Sequence, residues 1–256
     1  MFQHVIVKRP CAAMINGITD HPELGVPDYE KALEQHDAYI NTLLSLGVDV
    51  TVLPADEAYP DSCFVEDPAI LTEHCAVITR PGALSRRGET EAIEKVLGRF
   101  YPADKIFHIT EPGTIEGGDV MKAGNTFYVG LSARTNEEGV RQLAAILEPF
   151  GYKIHGVPLT EVLHLKTGVV YLEGNTLLAA GEFMQKPLFE GYNKIEVPAD
   201  EAYAANCIWF NGKVIVPMGY PKVLASLQAA GYETVLCDTS EYRKIDGGLS
   251  CLSLRF

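Results

Sequence analysis

The stretch GGDVMKAGNTFYVG, residues 117–130, is two short apolar runs meeting across Gly124-Asn125, a pair suited to a two-residue hairpin turn. Beyond it lies NEEGVRQLAAILEPF, residues 136–150, where apolar residues recur at three-to-four spacing behind an Asn, the mark of an amphipathic helix. A third apolar run, YKIHGV, closes the segment. The unit reads strand, strand, helix, strand.

The unit recurs along the chain. PAILTEHCAVITR is followed by the helix pattern GETEAIEKVLGRF and the return run KIFHIT, and ANCIWFNGKVIVPMG, turning at Asn211-Gly212, by PKVLASLQAAG and YETVLCD. TGVVYLEGNTLLAAG turns at Gly174-Asn175, but only a Gly/Pro-containing loop around Phe183 to Tyr192 precedes KIEVP, so the helix of that unit is expected to be lost or degenerate. The two ends hold the parts of a fifth unit: GGLSCLSLRF as first strand, MFQHVIVKRP as its partner, then DYEKALEQHDAYINTLLSLG and VDVTVLP. Pairing of the ends would place Cys251, five residues from the C-terminus, on a clamped strand. Five such units around an axis form an α/β propeller, a single domain over residues 1–256 whose last blade is closed by the terminal segments. An open mixed α/β sheet with incidental similarity between segments satisfies the same spacing.

With 47% hydrophobic and 21% charged residues, composition is that of an ordinary globular chain. A formal charge of −13 argues against nucleic acid as a partner and is compatible with cationic small molecules. Apolar runs are far shorter than the roughly 18 residues of a membrane span, and the start has three consecutive aliphatics where a signal peptide carries about 7 to 15. Six cysteines lie at 11, 63, 75, 207, 237 and 251 with no C-x-x-C pair, which suits reduced thiols and a cytoplasmic protein.

Cys251 follows the Gly247-Gly248 pair, which permits close backbone approach to a ligand; a buried small hydrophobe is the plain alternative. His164 stands where an apolar segment turns polar, and thiol chemistry near neutrality needs such a proton carrier. TIEGGDVM holds Glu116 and Asp119, and DSCFVEDPA holds Asp61, Glu66 and Asp67, all just ahead of a hairpin, where acids otherwise serve as solvated turn residues. Carboxylates beside a thiol raise its pKa, so the ligand must bring positive charge. A guanidinium fits: planar, permanently cationic and matched to carboxylates. Arg86 and Arg134, each near the start of a helix pattern, offer charge for a substrate carboxylate or are simply surface residues.

With these residues in place the chain resembles the dimethylarginine dimethylaminohydrolase family of the guanidino-group-modifying (pentein) superfamily, most closely its short bacterial form. The resemblance rests on LPADEAYPDSCFVEDPAIL, ITRPGALSRRGETE, GTIEGGDVM, FYVGLSARTNEEG, LHLKTG, YAANCIWFN and KIDGGLSCLSLRF, in family order from near residue 50 to the C-terminus. It implies the five-bladed α/β propeller and hydrolysis of asymmetric dimethyl-L-arginine and monomethyl-L-arginine to L-citrulline plus dimethylamine or methylamine, with no cofactor. It implies Cys251 as the nucleophile forming a thiouronium adduct, His164 as acid and then base, and Glu116 as the acid orienting His164 and substrate. Asp67 with Glu66 matches the guanidinium-binding segment, Arg86 and Arg134 the carboxylate-holding positions, Asp61 the α-amino contact. Main-chain groups near Ile18 and Ile245 correspond to further amino-acid contacts, and Phe64 to a pocket wall, although INGITDHPELG departs from the family pattern around Ile18. One Cys and one His do not compose a four-ligand zinc site, so no metal is expected. Small-molecule substrates are the implied partners, with neither nucleic acid nor membrane, and a homodimer is compatible with the resemblance. The rival activities are arginine or agmatine deiminase, which release ammonia from unmethylated guanidines, and a non-catalytic propeller that binds a macromolecule.

Overall fold

The computed structural model describes residues 1–256. Its fifteen strands form five three-stranded sheets, and in each a central strand pairs antiparallel on one side and parallel on the other. In chain order the elements begin with β1 (His4–Lys8), α1 (Tyr29–Ser45) and β2 (Asp49–Leu53). The next unit is β3 (Ala69–Leu71), β4 (Ala76–Ile78), α2 (Glu89–Leu97) and β5 (Ile106–His108). Then come β6 (Val120–Ala123), β7 (Thr126–Leu131), α3 (Glu137–Leu147) and β8 (Lys153–Pro158), followed by the single turn α4 (Leu165–Gly168), β9 (Val169–Tyr171), β10 (Thr176–Ala179) and β11 (Asn193–Glu196). The chain closes with β12 (Ile208–Phe210), β13 (Lys213–Pro217), α5 (Pro221–Ala229), β14 (Glu233–Cys237), α6 (Ser240–Arg243) and β15 (Leu254–Arg255).

The turns and helices form where the local chemistry asks for them. Ala123 pairs with Thr126 across Gly124-Asn125, and Phe210 with Lys213 across Asn211-Gly212. Asp28 caps α1 by accepting from Lys31 N at 3.1 Å, and the helix buries Ala32, Gln35, His36, Tyr39 and Leu43 at helical spacing. Asn136 caps α3 through Gly139 N at 2.8 Å and also takes Thr114 N at 3.0 Å, tying the helix start to the segment that leads to Glu116. Where the unit β9–β11 lacks a helix between its last two strands, two short 3-10 turns, Gly181–Met184 and Pro187–Phe189, make the connection.

The last unit differs from expectation in one respect. The termini do pair, Val5 with Arg255 and Ile6 with Leu254, yet Cys251 is not on the strand. It lies in a 3-10 turn, Ser250–Leu252, because β15 is only two residues long and the preceding chain is bent by hydrogen bonds of its own.

Contacts divide the chain into two compact units, one of Met1–Val65 with Val197–Phe256 and the other of Glu66–Glu196. The first is packed around Val5, Val7, Tyr39, Phe64, Phe210 and Tyr242, among others. The second holds two clusters, one including Ile70, Val77 and Phe127 and one including Leu165, Phe183 and Phe189. No helix is long and apolar enough to cross a membrane.

Candidate active site

In the unit Glu66–Glu196 the polar groups gather at the segments that enter the sheets. Glu116 directly precedes the 3-10 turn Gly117–Asp119, and His164 directly precedes α4. His164 Nε2 and Glu116 Oε2 are 2.8 Å apart, and Glu116 is fully buried. The other Glu116 oxygen accepts from Ala83 N at 3.0 Å, with the Arg134 guanidinium 3.9 Å away. Burial disfavours the charged Glu116, but the His164 hydrogen bond and the charges of His164 and Arg86 outweigh it and bring its pKa down to about 2. Burial likewise disfavours the imidazolium, but the Glu116 hydrogen bond and the charges of Asp119 and Asp67 prevail and lift the His164 pKa to about 9. At neutral pH the pair is carboxylate and imidazolium.

Asp67 is buried beside this pair. Its Oδ1 accepts from Gly118 N at 2.8 Å and its Oδ2 from Arg86 Nη1 at 2.5 Å. The close approach depends on the glycines: a Cβ on Gly117 would lie 1.9 Å from the Glu66 carbonyl oxygen, and one on Gly118 2.9 Å from His164 Nδ1. Arg86 also donates through Nε and Nη2 to Glu89, at 3.0 and 2.8 Å. It is thus a buried cation with two resident carboxylates, whereas Arg134 is bound less tightly. Glu66 has a resident cation too, Lys166, at 2.6 Å.

Asp119 is fully buried; it accepts from Ser132 Oγ at 2.7 Å and from Leu165 N at 3.0 Å, which fixes the backbone beside His164. Burial raises its pKa against those bonds. One ligand atom each from Asp67, Glu116 and His164 lie within 4.8 Å of one another, the size of a cation site. Arg86 already occupies an Asp67 oxygen, however, and the His164 and Glu116 atoms that face each other are engaged in their own hydrogen bond. The cluster is better suited to a guanidinium, which two carboxylates can receive side by side.

The unit holding the two chain ends carries the remaining candidates. Asp61 is buried and accepts from Ile18 N at 3.0 Å. Ile245 is buried in the turn after α6, and Phe64 packs edge-on against Tyr242 at 6.3 Å between ring centroids. The segment bearing Cys251 is pinned at several points. Tyr203 Oη donates to Gly247 O at 2.9 Å, Ser250 N to Asn206 Oδ1 at 2.8 Å, and Arg255 Nη1 to Ser250 O at 2.9 Å. Cys251 itself is half-buried, whereas the other five cysteines are buried. Asn206, Tyr203 and Lys166 had no role assigned from sequence. Asn206 lies in YAANCIWFN, a polar residue ahead of an apolar strand, and that placement was the available signal.

Known proteins supply the family. The family described as N,N dimethylarginine dimethylhydrolase, eukaryotic, matches residues 19–184. N(G),N(G)-dimethylarginine dimethylaminohydrolase of Pseudomonas aeruginosa is 57% identical over 256 residues, 100% of both chains. The chain belongs to the dimethylarginine dimethylaminohydrolase family. A Cys-to-Ser mutant of the Pseudomonas aeruginosa member, complexed with citrulline, has a fold matching this one with a TM-score of 0.98 over 100% of both chains. A further dimethylarginine dimethylaminohydrolase structure, a His-to-Gly adduct with S-methyl-L-thiocitrulline, matches with a TM-score of 0.97, 57% identity and full coverage of both chains. The five like sheets are those of the family's five-bladed α/β propeller.

Proposed function

We propose that the protein is a hydrolase converting Nω,Nω-dimethyl-L-arginine and Nω-monomethyl-L-arginine to L-citrulline and dimethylamine or methylamine. The observation that carries this reading is the buried His164–Glu116 pair at 2.8 Å, with Asp67 beside it as a second guanidinium acceptor. Full-length similarity to the Pseudomonas aeruginosa family member supports one catalytic domain over residues 1–256. Thiols without a pairing framework support a cytoplasmic setting.

Asp67 and Glu116 receive the guanidinium, and Glu66, neutralised by Lys166, supports the segment behind Asp67. Arg134 holds the substrate carboxylate, with Arg86 adding its charge. Asp61 and the main chain at Ile18 and Ile245 take the α-amino group, and Phe64 forms a wall. The Cys251 thiolate attacks the central guanidinium carbon. The C–N bond to the methylated nitrogen breaks as His164 gives that nitrogen a proton, since an amide anion cannot leave. His164, now neutral, takes a proton from water, whose oxygen attacks the thiouronium carbon; the C–S bond breaks with its electron pair returning to sulfur as the Cys251 thiolate, and the remaining hydroxyl proton passes to the released amine through solvent as the citrulline carbonyl forms. Water is the only co-reactant.

The deciding experiment mixes the purified protein with asymmetric dimethylarginine and follows small products and the acid-quenched chain by mass spectrometry. Citrulline, dimethylamine and an adduct on Cys251 are expected. Ammonia from arginine or agmatine in their place makes the protein a deiminase, and no turnover of any guanidine leaves a binding protein.

A further inference from the structure

The four residues Gly17–Asp20 lie outside regular secondary structure, yet carboxylates hold them. Ile18 N donates to Asp61 Oδ1 at 3.0 Å. Thr19 Oγ1 donates to Asp246 Oδ1 at 3.2 Å, and Asp20 N donates to Asp246 Oδ2 at 2.6 Å. His21 N completes the set by donating to Thr19 Oγ1 at 2.9 Å. One half-buried carboxylate therefore clasps two consecutive residues from a segment more than two hundred positions away.

Asp246 has the backbone for such a task. Its φ is 58°, in the left-handed region that Asp and Asn tolerate better than most side chains, and it stands between Ile245 and the Gly247-Gly248 pair that leads to Cys251. A Cβ on Gly17 would meet Asp61 Oδ1 at 2.9 Å and Ile245 Cγ2 at 3.0 Å, so the clasped segment runs directly over both residues.

We infer that Asp246 is a positioning residue whose carboxylate fastens Gly17–Asp20 to the Ile245–Cys251 segment, so that Ile18, Asp61 and Ile245 stand ready for the α-amino end of the substrate. The inference rests on the methylarginine reading above. The α-amino end takes no part in bond breaking, and a contact that serves only to bind it is equally strong in the ground and transition states. The loss of such contacts raises KM and spares kcat. A residue that merely stabilised the fold would not divide the two constants in this way.

Asp246→Asn is the primary test. Asn keeps the shape and the left-handed backbone, but its amide nitrogen replaces one of the two acceptors. The expected result is a KM for dimethylarginine raised about tenfold or more with kcat within about threefold. Hydrogen–deuterium exchange of a peptide spanning Thr19–Asp20 should quicken about tenfold while the melting temperature holds. Thr19→Val, which removes only the hydroxyl, should give the same pattern more weakly and serves if Asp246→Asn folds poorly. An unchanged KM with unchanged exchange overturns the inference, as does a loss confined to kcat. If the unaltered protein fails to turn over dimethylarginine, the functional reading fails by itself; exchange at Asp20 still decides whether Asp246 fastens the segment.

Discussion

His164 and Glu116, 48 residues apart in sequence, meet at 2.8 Å, and their meeting drives their pKa values in opposite directions, to about 9 and about 2. Between those limits the protein holds a proton donor braced by a carboxylate, the form needed to expel an amine.

The pH profile should show it. With His164 required as an acid, kcat/KM is expected to fall as pH rises through about 9. The same shift bears on stability. A raised histidine pKa stabilises fully below the ordinary value of 6.5, and that contribution is lost as pH rises through about 9. Citrulline formation followed between neutral and alkaline pH checks the first statement; a limb centred near 6.5 would contradict it.

Glu116→Gln removes the main cause of that shift. Burial then dominates, the His164 pKa drops, and the alkaline limb moves toward neutrality, while turnover falls on the order of 10² to 10⁴. Rate profiles of the variant and the original protein, taken side by side, test both effects.

Cys251→Ser should lower turnover on the order of 10³ or more. His164→Gly should behave differently with S-methyl-L-thiocitrulline, whose thiolate leaves without needing a proton. The adduct should form on Cys251 and persist, since no base activates water. Intact mass after acid quench distinguishes accumulation from absence.

Lys166→Met leaves the buried Glu66 carboxylate without the Lys166 ammonium, and a loss of about 2–4 kcal/mol in urea unfolding is expected. Adding Glu66→Gln should recover most of it. If the single variant is as stable as the original, the pair does not hold that part of the fold together.

Gly247→Ala would place a Cβ 2.2 Å from a Phe64 ring carbon. The ring cannot retreat freely because it packs on Tyr242, so a loss of about 1–3 kcal/mol is expected, with activity falling as the Cys251 segment shifts. Melting and turnover measured together would reveal an uncoupled outcome.

Much of this protein is legible in its sequence. Apolar alternation and turn pairs such as Asn211-Gly212 are local signals, governed by sterics within a few residues, and they sufficed for the five repeated units and the helices α1, α2, α3 and α5. The pairing of the chain ends followed from the unfinished fifth unit, and the motifs around Cys251, His164 and Glu116 were enough for the family. Tertiary structure alone decided that Cys251 sits in a 3-10 turn pinned by Tyr203 and Asn206. It alone decided that Arg86 is held by Asp67 and Glu89, that Lys166 holds Glu66, and that Asp246 clasps Thr19 and Asp20. The reason is physical: most of these pairings join groups far apart along the chain. A charge carries no mark of its eventual partner until packing brings the two together and removes the water between them.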